Sequence, residues 1–254
     1  MKPYEPGQIR NVALISHGGA GKTSLAEAML FDAGVTTRMG RVEEGNTVTD
    51  YEEDETKRQI SVSAALAPLE WKGHKLNIID TPGFIDFQAD VRSALSVVEG
   101  AVVLVDAVAG VEVGTELYWR LADQNNLARV FFINKMRREN ANFEGVVEDI
   151  RTRFGKAAVA VQVPVGTELS FRGVVDIVSD KAYTWGEGKE PQEGPVPAEL
   201  ADTVAEYRNT LIEALADVDE ELGDKYLMEE EITREDIVRG IQKGVRERTL
   251  FPIL

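Results

Sequence analysis

Largely apolar and mixed stretches follow one another along the chain in blocks that predict strands and helices in turn. Short, largely apolar runs predict strands over 12–15, 74–80, 101–106 and 128–133. Wider apolar spacing predicts helices over 25–30, 84–98, 113–125 and 143–154. A further strand, 60–71, is joined to 74–80 by Lys72-Gly73, which predicts a hairpin. Strands that alternate with helices predict a doubly wound α/β sheet, with its ligand at the carboxyl ends of the strands.

The pattern changes near residue 157. Strand candidates joined by glycine-containing turns lie at 159–164, 171–178 and 181–185, and a Gly-, Pro- and Glu-rich loop follows at 186–197. A helical apolar stripe comes next, with acidic residues and Arg208 on the opposite face; its members are Leu200, Val204, Tyr207, Leu211 and Leu215.

The end of the chain predicts one more helix and one more strand. Thr233, followed by Glu235 and Asp236, is typical of a capped helix over 233–248, and 250–254 predicts a strand that rejoins the sheet. We therefore expect an α/β core over 1–158, an inserted α+β subdomain over 159–248 and a returning strand over 249–254.

A glycine-rich stretch lies between the first strand and the first helix. It reads Ser16-His17-Gly18-Gly19-Ala20-Gly21-Lys22-Thr23-Ser24, and strand, glycine-rich turn, Gly-Lys-Thr and helix is the layout of a phosphate-binding loop. Successive backbone N–H groups and the helix N-terminus attract polyphosphate, and the lysine reaches the β- and γ-phosphates. The threonine hydroxyl would bind Mg²⁺. Serine replaces the usual first glycine, and an ordinary strand-to-helix turn is the alternative.

A second candidate loop follows the hairpin, at Asp80-Thr81-Pro82-Gly83. An aspartate at the carboxyl end of a buried strand suits Mg²⁺ held through water, and the N–H of Gly83 suits the γ-phosphate. A plain β-turn is the alternative, because Pro-Gly is common in turns. Upstream, the polar stretch 38–57 predicts a long, mobile loop.

Composition narrows the function classes. The formal net charge of −16 argues against nonspecific nucleic-acid binding. The chain has no cysteine, which excludes disulfides and cysteine-ligated zinc and fits a reducing cytoplasm. No apolar run approaches the ~20 residues that a membrane span needs, and the start of the chain lacks a signal-peptide pattern. We expect a cytoplasmic protein that does not contact membranes.

Four motifs taken together resemble the G domain of translational GTPases of the elongation-factor-G type. They lie in order at 16–23, 45–63, 80–87 and 134–143, and the insertion resembles the extra subdomain of that family. The resemblance implies a P-loop NTPase fold that binds GTP or GDP with Mg²⁺. It also implies that one more base-contacting loop would follow Leu254.

The resemblance implies roles for residues outside the phosphate loop. The first switch loop is 38–63, where Ser61 takes the place of a threonine that closes on Mg²⁺ and the γ-phosphate. Asn134 and Lys135 contact the guanine nucleotide. The catalytic group implied is Lys22, Ser61, Gly83 and the position of Phe84, and the implied magnesium ligands are Thr23, Ser61 and, through water, Asp80.

Two residues depart from the family pattern. Phe84 replaces the histidine that positions the attacking water, and phenylalanine cannot orient water or carry a proton. We expect Phe84 to pack rather than to act as a hydrophobic gate. Arg137 replaces the aspartate that accepts hydrogen bonds from guanine, and a guanidinium only donates. Guanine preference therefore rests on the resemblance and not on Arg137.

Two functions remain open at this point. The first is a Mg²⁺-dependent GTPase domain that acts on the ribosome, with the inserted subdomain meeting ribosomal stalk proteins. The second is a nucleotide-binding switch, or pseudo-GTPase, with little hydrolysis because of Phe84 and Arg137. A P-loop ATPase has only the missing guanine-reading aspartate in its favour.

Overall fold

The computed structural model describes residues 3–186 and 190–254. The chain divides into two compact units, Met1–Asp106 with Glu112–Arg129, and Ala107–Val111 with Val130–Leu254. The fold is the mixed α/β fold with a mostly parallel sheet that the sequence predicts. Within the described residues, no helix is both long enough and apolar enough to cross a membrane.

The first unit is built on four strands in the order β2-β3-β1-β4. β1 runs parallel to both β3 and β4, and the predicted hairpin β2-β3 is antiparallel. Ala13, Leu14 and Ile15 of β1 are fully buried, so the strand leads to the glycine-rich loop from inside the core. The elements of this unit are β1 (Ile9–Ile15), α1 (Lys22–Asp32), α2 (Glu53–Arg58), β2 (Ala65–Trp71), β3 (His74–Asp80), α3 (Gln88–Leu95), β4 (Gly100–Asp106) and α4 (Val113–Gln124).

The strand predicted over 60–71 begins later, at Ala65. The reason is its partner, because Ala65 pairs with Asp80 and β3 ends there. The backbone N–H groups of Val62 and Ser63 instead donate to the Glu55 carboxylate. The helix predicted over 84–98 is also shorter, since a 3₁₀ turn, Ile85–Phe87, precedes α3.

The stretch predicted as a loop over 38–57 contains structure. A 3₁₀ turn forms at Val42–Glu44, and α2 occupies Glu53–Arg58. Acidic residues fill the first turn of α2, and Lys57 and Arg58 fill its last turn, which complements the helix dipole. The loop prediction is therefore wrong over its last residues.

The second unit contains two groups of strands. β11 lies parallel between β5 and β6, and a separate antiparallel sheet has the order β10-β9-β8-β7. The elements, in chain order, are β5 (Ala128–Asn134, which begins in the first unit), α5 (Phe143–Phe154), β6 (Ala158–Ala160), β7 (Gln162–Val165), β8 (Gly173–Asp176), β9 (Lys181–Thr184), β10 (Gln192–Gly194), α6 (Ala201–Val218), α7 (Glu220–Leu227), α8 (Arg234–Glu247) and β11 (Phe251–Ile253).

Most predictions for this part of the chain are confirmed. The apolar stripe of α6 faces a core that includes Val163, Ile177 and Leu211, and Thr233 caps α8 by accepting from the N–H of Asp236. The strand predicted over 159–164 is two strands, β6 and β7, which belong to different sheets.

Three features of this unit differ from the predictions. α7 was not predicted, and β10 lies inside the predicted loop 186–197, of which 187–189 lie outside the described residues. Arg208 is half-buried and donates to the carbonyl of Ile177 at 2.7 Å, so it does not belong to the solvent face of α6.

Candidate functional site

The loop between β1 and α1 has the backbone of an anion-binding turn. Gly19 and Gly21 have φ of 83° and 99°, a region that favours glycine, and Gly21 is the N-cap of α1. The loop therefore curls tightly before the helix starts at Lys22, which leaves the first N–H groups of α1 at its mouth.

Lys22 is folded back over this loop. Its Nζ donates to Ser16 Oγ at 3.0 Å and lies within 3.4 Å of the His17 carbonyl. Burial lowers the pKa of Lys22 to about 8, against the opposing charges of Asp80 and Asp50. The serine at the first loop position thus supplies a side-chain partner for the lysine, which a glycine could not do.

Asp80 lies at the end of β3 among hydroxyl groups. Its Oδ2 accepts from Thr49 Oγ1 at 2.9 Å, and Thr23 Oγ1 lies 3.1 Å from Ser61 Oγ. Its Oδ1 is buried with no hydrogen-bond partner among the described residues. Burial raises the pKa of Asp80 to about 6, which the charge of Lys22 opposes.

Two buried glutamates hold the stretch 38–63: Glu27 joins it to α1, and Glu55 of α2 joins two parts of the stretch to each other. Glu27 accepts from the N–H of Gly40 at 2.9 Å and also from the N–H of Val48. Glu55 accepts from Val62 at 2.9 Å and from Ser63 at 3.0 Å, next to Ser61. Both glutamates are 1% exposed, so these hydrogen bonds are shielded from solvent.

Gly83 and Phe84 pack directly on the phosphate loop. A Cβ added to Gly83 would lie 2.6 Å from both Gly18 Cα and Lys22 Nζ, so only glycine fits there. The Phe84 ring covers Gly18, at 3.1–3.3 Å from the place of a Cβ on that glycine. The Phe84 carbonyl accepts from Tyr118 at 3.3 Å, while its side chain is 41% exposed.

His17 is turned towards the start of α4. Its Nδ1 accepts from the N–H of Gly114 at 3.3 Å, and its Nε2 lies 3.5 Å from Glu112. His17 therefore joins the phosphate loop to α4 through its side chain.

The residues that the resemblance assigns to base contact lie at and after the end of β5, in the second unit. The Asn134 carbonyl accepts from the N–H of Ala107 at 2.9 Å, and Lys135 has a left-handed φ of 65°. Arg137 is exposed and its Nε donates to the Phe171 carbonyl at 3.3 Å. Asn142 ends the loop and caps α5 by accepting from Gly145.

The oxygen atoms around Thr23 fit a hard divalent cation. The two hydroxyls of Thr23 and Ser61 and the unpartnered Oδ1 of Asp80 are the ligand types that Mg²⁺ prefers. No three His, Asp or Glu side chains of the described residues form a metal cluster, so the remaining ligands would come from water and from a bound phosphate.

Residues 7–238 match the family described as "Elongation factor Tu GTP binding domain". The chain belongs to this family. The matched residues include β1, the glycine-rich loop and Asp80, which lie together in the structure. The match agrees with the resemblance of the sequence motifs to translational GTPases.

Two relatives place the chain within the family. It is 41% identical to elongation factor G of Granulibacter bethesdensis over 250 residues, which cover 97% of this chain and 36% of the relative. A crystal structure of a protein from Thermus thermophilus superposes with a TM-score of 0.90 at 36% identity, over 97% of this chain and 37% of the other. The chain thus spans about a third of the length of these relatives.

Sequence reasoning missed several polar residues of this family site. Ser16 was seen only as a departure, although it holds Lys22. Glu27 and Thr49 carry no motif signal, and their partners are 13 to 31 residues away along the chain. Asp50 was also missed, though it is buried, and burial raises the pKa of its carboxyl.

Proposed function

We propose that this chain binds GTP and GDP with Mg²⁺ and hydrolyses GTP, as the G domain of an elongation-factor-G-like translation factor that acts on the ribosome. The observation that carries the proposal is the cluster of Lys22, Thr23, Ser61 and Asp80 around the glycine-rich loop. The proposed division into a core, 1–158, an insertion, 159–248, and a returning strand, 249–254, belongs to the same proposal.

The phosphate loop supplies most of the binding. The N–H groups of 17–24 surround the β- and γ-phosphates, and Lys22 places its ammonium against them. Thr23 and Ser61 would hold Mg²⁺ directly, and Asp80 would hold it through water. When bound, the ion neutralises charge that builds up on the phosphate oxygens.

Hydrolysis transfers the γ-phosphoryl group to water. The bond from the γ-phosphorus to the β–γ bridging oxygen breaks as the water oxygen bonds to phosphorus, and the products are GDP and phosphate. Positioning and charge stabilisation supply most of the catalysis in such reactions. Lys22 and the Gly83 N–H act on the phosphate oxygens, while Phe84 packs on Gly18 and takes no proton.

Asn134 and Lys135 are the residues that we propose to contact the base. Arg137 offers guanine no acceptor, so the affinity of the chain for GDP is low. The inserted segment meets ribosomal stalk proteins through its acidic helices, and the chain acts in the cytoplasm without nonspecific nucleic-acid binding.

The test is equilibrium binding of fluorescent GDP and ADP with Mg²⁺. We expect weak GDP binding, at least tenfold tighter GDP binding by Arg137→Asp, and negligible ADP binding by either protein. The matched control is Arg138→Asp, which makes the same charge change at the next residue. Circular dichroism confirms that all proteins are folded.

Two results would contradict the proposal. One is the absence of GDP binding by every folded version. The other is an equal gain for Arg137→Asp and Arg138→Asp, which would show a general charge effect instead of base recognition.

A further inference from the structure

The base loop, residues 134–140, contains one strained position, Lys135, and a second left-handed residue, Asn140, of a type that adopts this region more readily. Lys135 and Asn140 have φ of 65° and 66°, although neither is glycine. Left-handed backbone costs energy for residues with a Cβ, and it persists only where surrounding contacts hold it. The contacts around this loop therefore decide how well its conformation is kept.

Two of these contacts come from one turn of the inserted segment. Glu168 Oε1 accepts from the N–H of Asn140 at 2.7 Å. Arg137 Nε donates to the Phe171 carbonyl at 3.3 Å. The turn 167–171 thus reaches two of the four exposed residues of the base loop, Arg137 at its centre and Asn140 at its end.

The turn itself is closely packed. The N–H of Ser170 donates to the Thr167 carbonyl at 2.9 Å, and the N–H of Thr167 donates to Ser170 Oγ at 3.0 Å. A Cβ on Gly166 would meet the Ser170 carbonyl oxygen at 2.3 Å. A turn closed in this way fixes the backbone from which the Glu168 side chain extends to Asn140.

The base loop and the inserted segment also share a cavity. Lys135 and Met136 line one side of an apolar space of about 340 Å³, and Phe171 and Trp185 line another, with ring centroids 6.0 Å apart. Phe171, whose carbonyl accepts from Arg137, belongs to the lining of this cavity.

We propose that the turn 167–171 is a brace for the base loop, and that Glu168 is a positioning residue for recognition of the nucleotide base. The inserted segment thereby sets how long a guanine nucleotide stays bound. Arg137 supplies the longer of the two contacts, 3.3 Å against 2.7 Å, so Arg137→Asp loses less at the brace than it gains as an acceptor for the base. The inference rests on the proposed function, because it assumes that Asn134 and Lys135 contact the base.

The test compares Glu168→Ala with Glu168→Gln, and with Glu230→Ala as an exposed control in the same inserted segment. We expect Glu168→Ala to release fluorescent GDP three to ten times faster, with unchanged affinity for tripolyphosphate, which has no base. Glu168→Gln keeps an acceptor for the Asn140 N–H and should restore GDP release to the wild-type rate. Glu230→Ala should change neither quantity.

Hydrogen exchange gives a readout that needs no nucleotide. The Asn140 amide should exchange faster in Glu168→Ala and at the wild-type rate in Glu168→Gln. If the wild-type chain binds GDP and Glu168→Ala releases it at the wild-type rate, the proposal that the turn braces the base loop is wrong, while the proposed function stands. If the wild-type chain and Arg137→Asp both bind tripolyphosphate but neither binds GDP, the proposed function fails and this inference fails with it.

Discussion

Asp80 and Lys22 are both buried at the phosphate loop, and burial disfavours the charge of each. The pKa of Asp80 is raised to about 6, and that of Lys22 is lowered to about 8. A bound phosphate would stabilise the positive charge of Lys22, and a bound cation would stabilise the negative charge of Asp80. The shifts are what a site prepared for an ionic ligand shows before the ligand arrives.

Asp80→Asn should change the pH dependence of stability in the nucleotide-free chain. The folded-state pKa of Asp80, about 6, lies above the ordinary value of 3.8, so the folded state binds more protons between these pH values. Its contribution to the free energy of unfolding therefore falls as pH rises from 4 to 6. Asn cannot ionise, and the variant should be more stable at pH 7 by up to about 3 kcal/mol.

Urea unfolding of both proteins between pH 4 and pH 7 measures this difference. The gap between the two stability curves should open as pH rises and then stay constant above pH 7. Parallel curves over the whole range would show that Asp80 ionises freely in the folded chain.

At the scale of elements, the stretch 38–63 is anchored by one side chain from α1 and one from α2, which lies within the stretch itself. Glu27 of α1 holds the loop at Gly40 and Val48, and Glu55 of α2 holds it at Val62 and Ser63. These bonds place Ser61 beside Thr23. The geometry of the proposed magnesium site thus depends on carboxylates that are not among its proposed ligands.

Glu27→Gln should loosen the loop without removing the side chain. The side-chain oxygen of glutamine can accept from only one of the two backbone N–H groups, those of Gly40 and Val48. The side-chain NH₂ group would face the other N–H, which would then have no acceptor. Bonds to buried charged groups contribute about 1.5–3 kcal/mol, so we expect a loss of about 2 kcal/mol in the free energy of unfolding.

Hydrogen exchange at the Gly40 and Val48 amides checks the cause. Both should exchange faster in Glu27→Gln, whereas Glu43→Gln, an exposed glutamate of the same loop, should leave them unchanged. Unchanged exchange in Glu27→Gln would mean that the loop is held by other contacts.

The sequence predicts those elements whose apolar positions repeat at short range. The strand before the glycine-rich loop, the hairpin that ends at Asp80 and helix α5 follow from such periodicity. The polar anchors do not, because Glu27 and Glu168 bond to backbone groups 13 to 28 residues away. No local pattern distinguishes a buried carboxylate of this kind from the many exposed ones in an acidic chain.

Other differences arise from pairing partners. β2 starts at Ala65 because β3 ends at Asp80, and 159–164 breaks into β6 and β7 because its two halves pair with different strands. Periodicity along one strand cannot contain this information. The candidate residues of the phosphate loop are predictable from their spacing. The contacts of Ser16 with Lys22 and of Phe84 with Gly18 are not, because they depend on how the loops fold against each other.

At the scale of the whole molecule, acidic residues lie in the buried surroundings of the proposed site as well as on the surface. The chain has a net charge of −16, and the buried acids Glu27, Asp50, Glu55 and Asp80 lie in the same unit as the buried Lys22. Glu27 and Glu55 raise the pKa of Asp50 further after burial has raised it. This excess of acid favours binding a phosphate together with a divalent cation over binding the phosphate alone.

The most direct test of the proposed GTPase activity is phosphate release from GTP with Mg²⁺, measured for the wild-type chain and for Lys22→Met, with ATP as the control nucleotide. We predict slow, multiple-turnover release from GTP by the wild type, none above background from ATP, and loss of release in a folded Lys22→Met. Release from GTP that is no faster than in Lys22→Met, in a wild-type chain that binds GDP, would contradict hydrolysis and leave a nucleotide-binding switch.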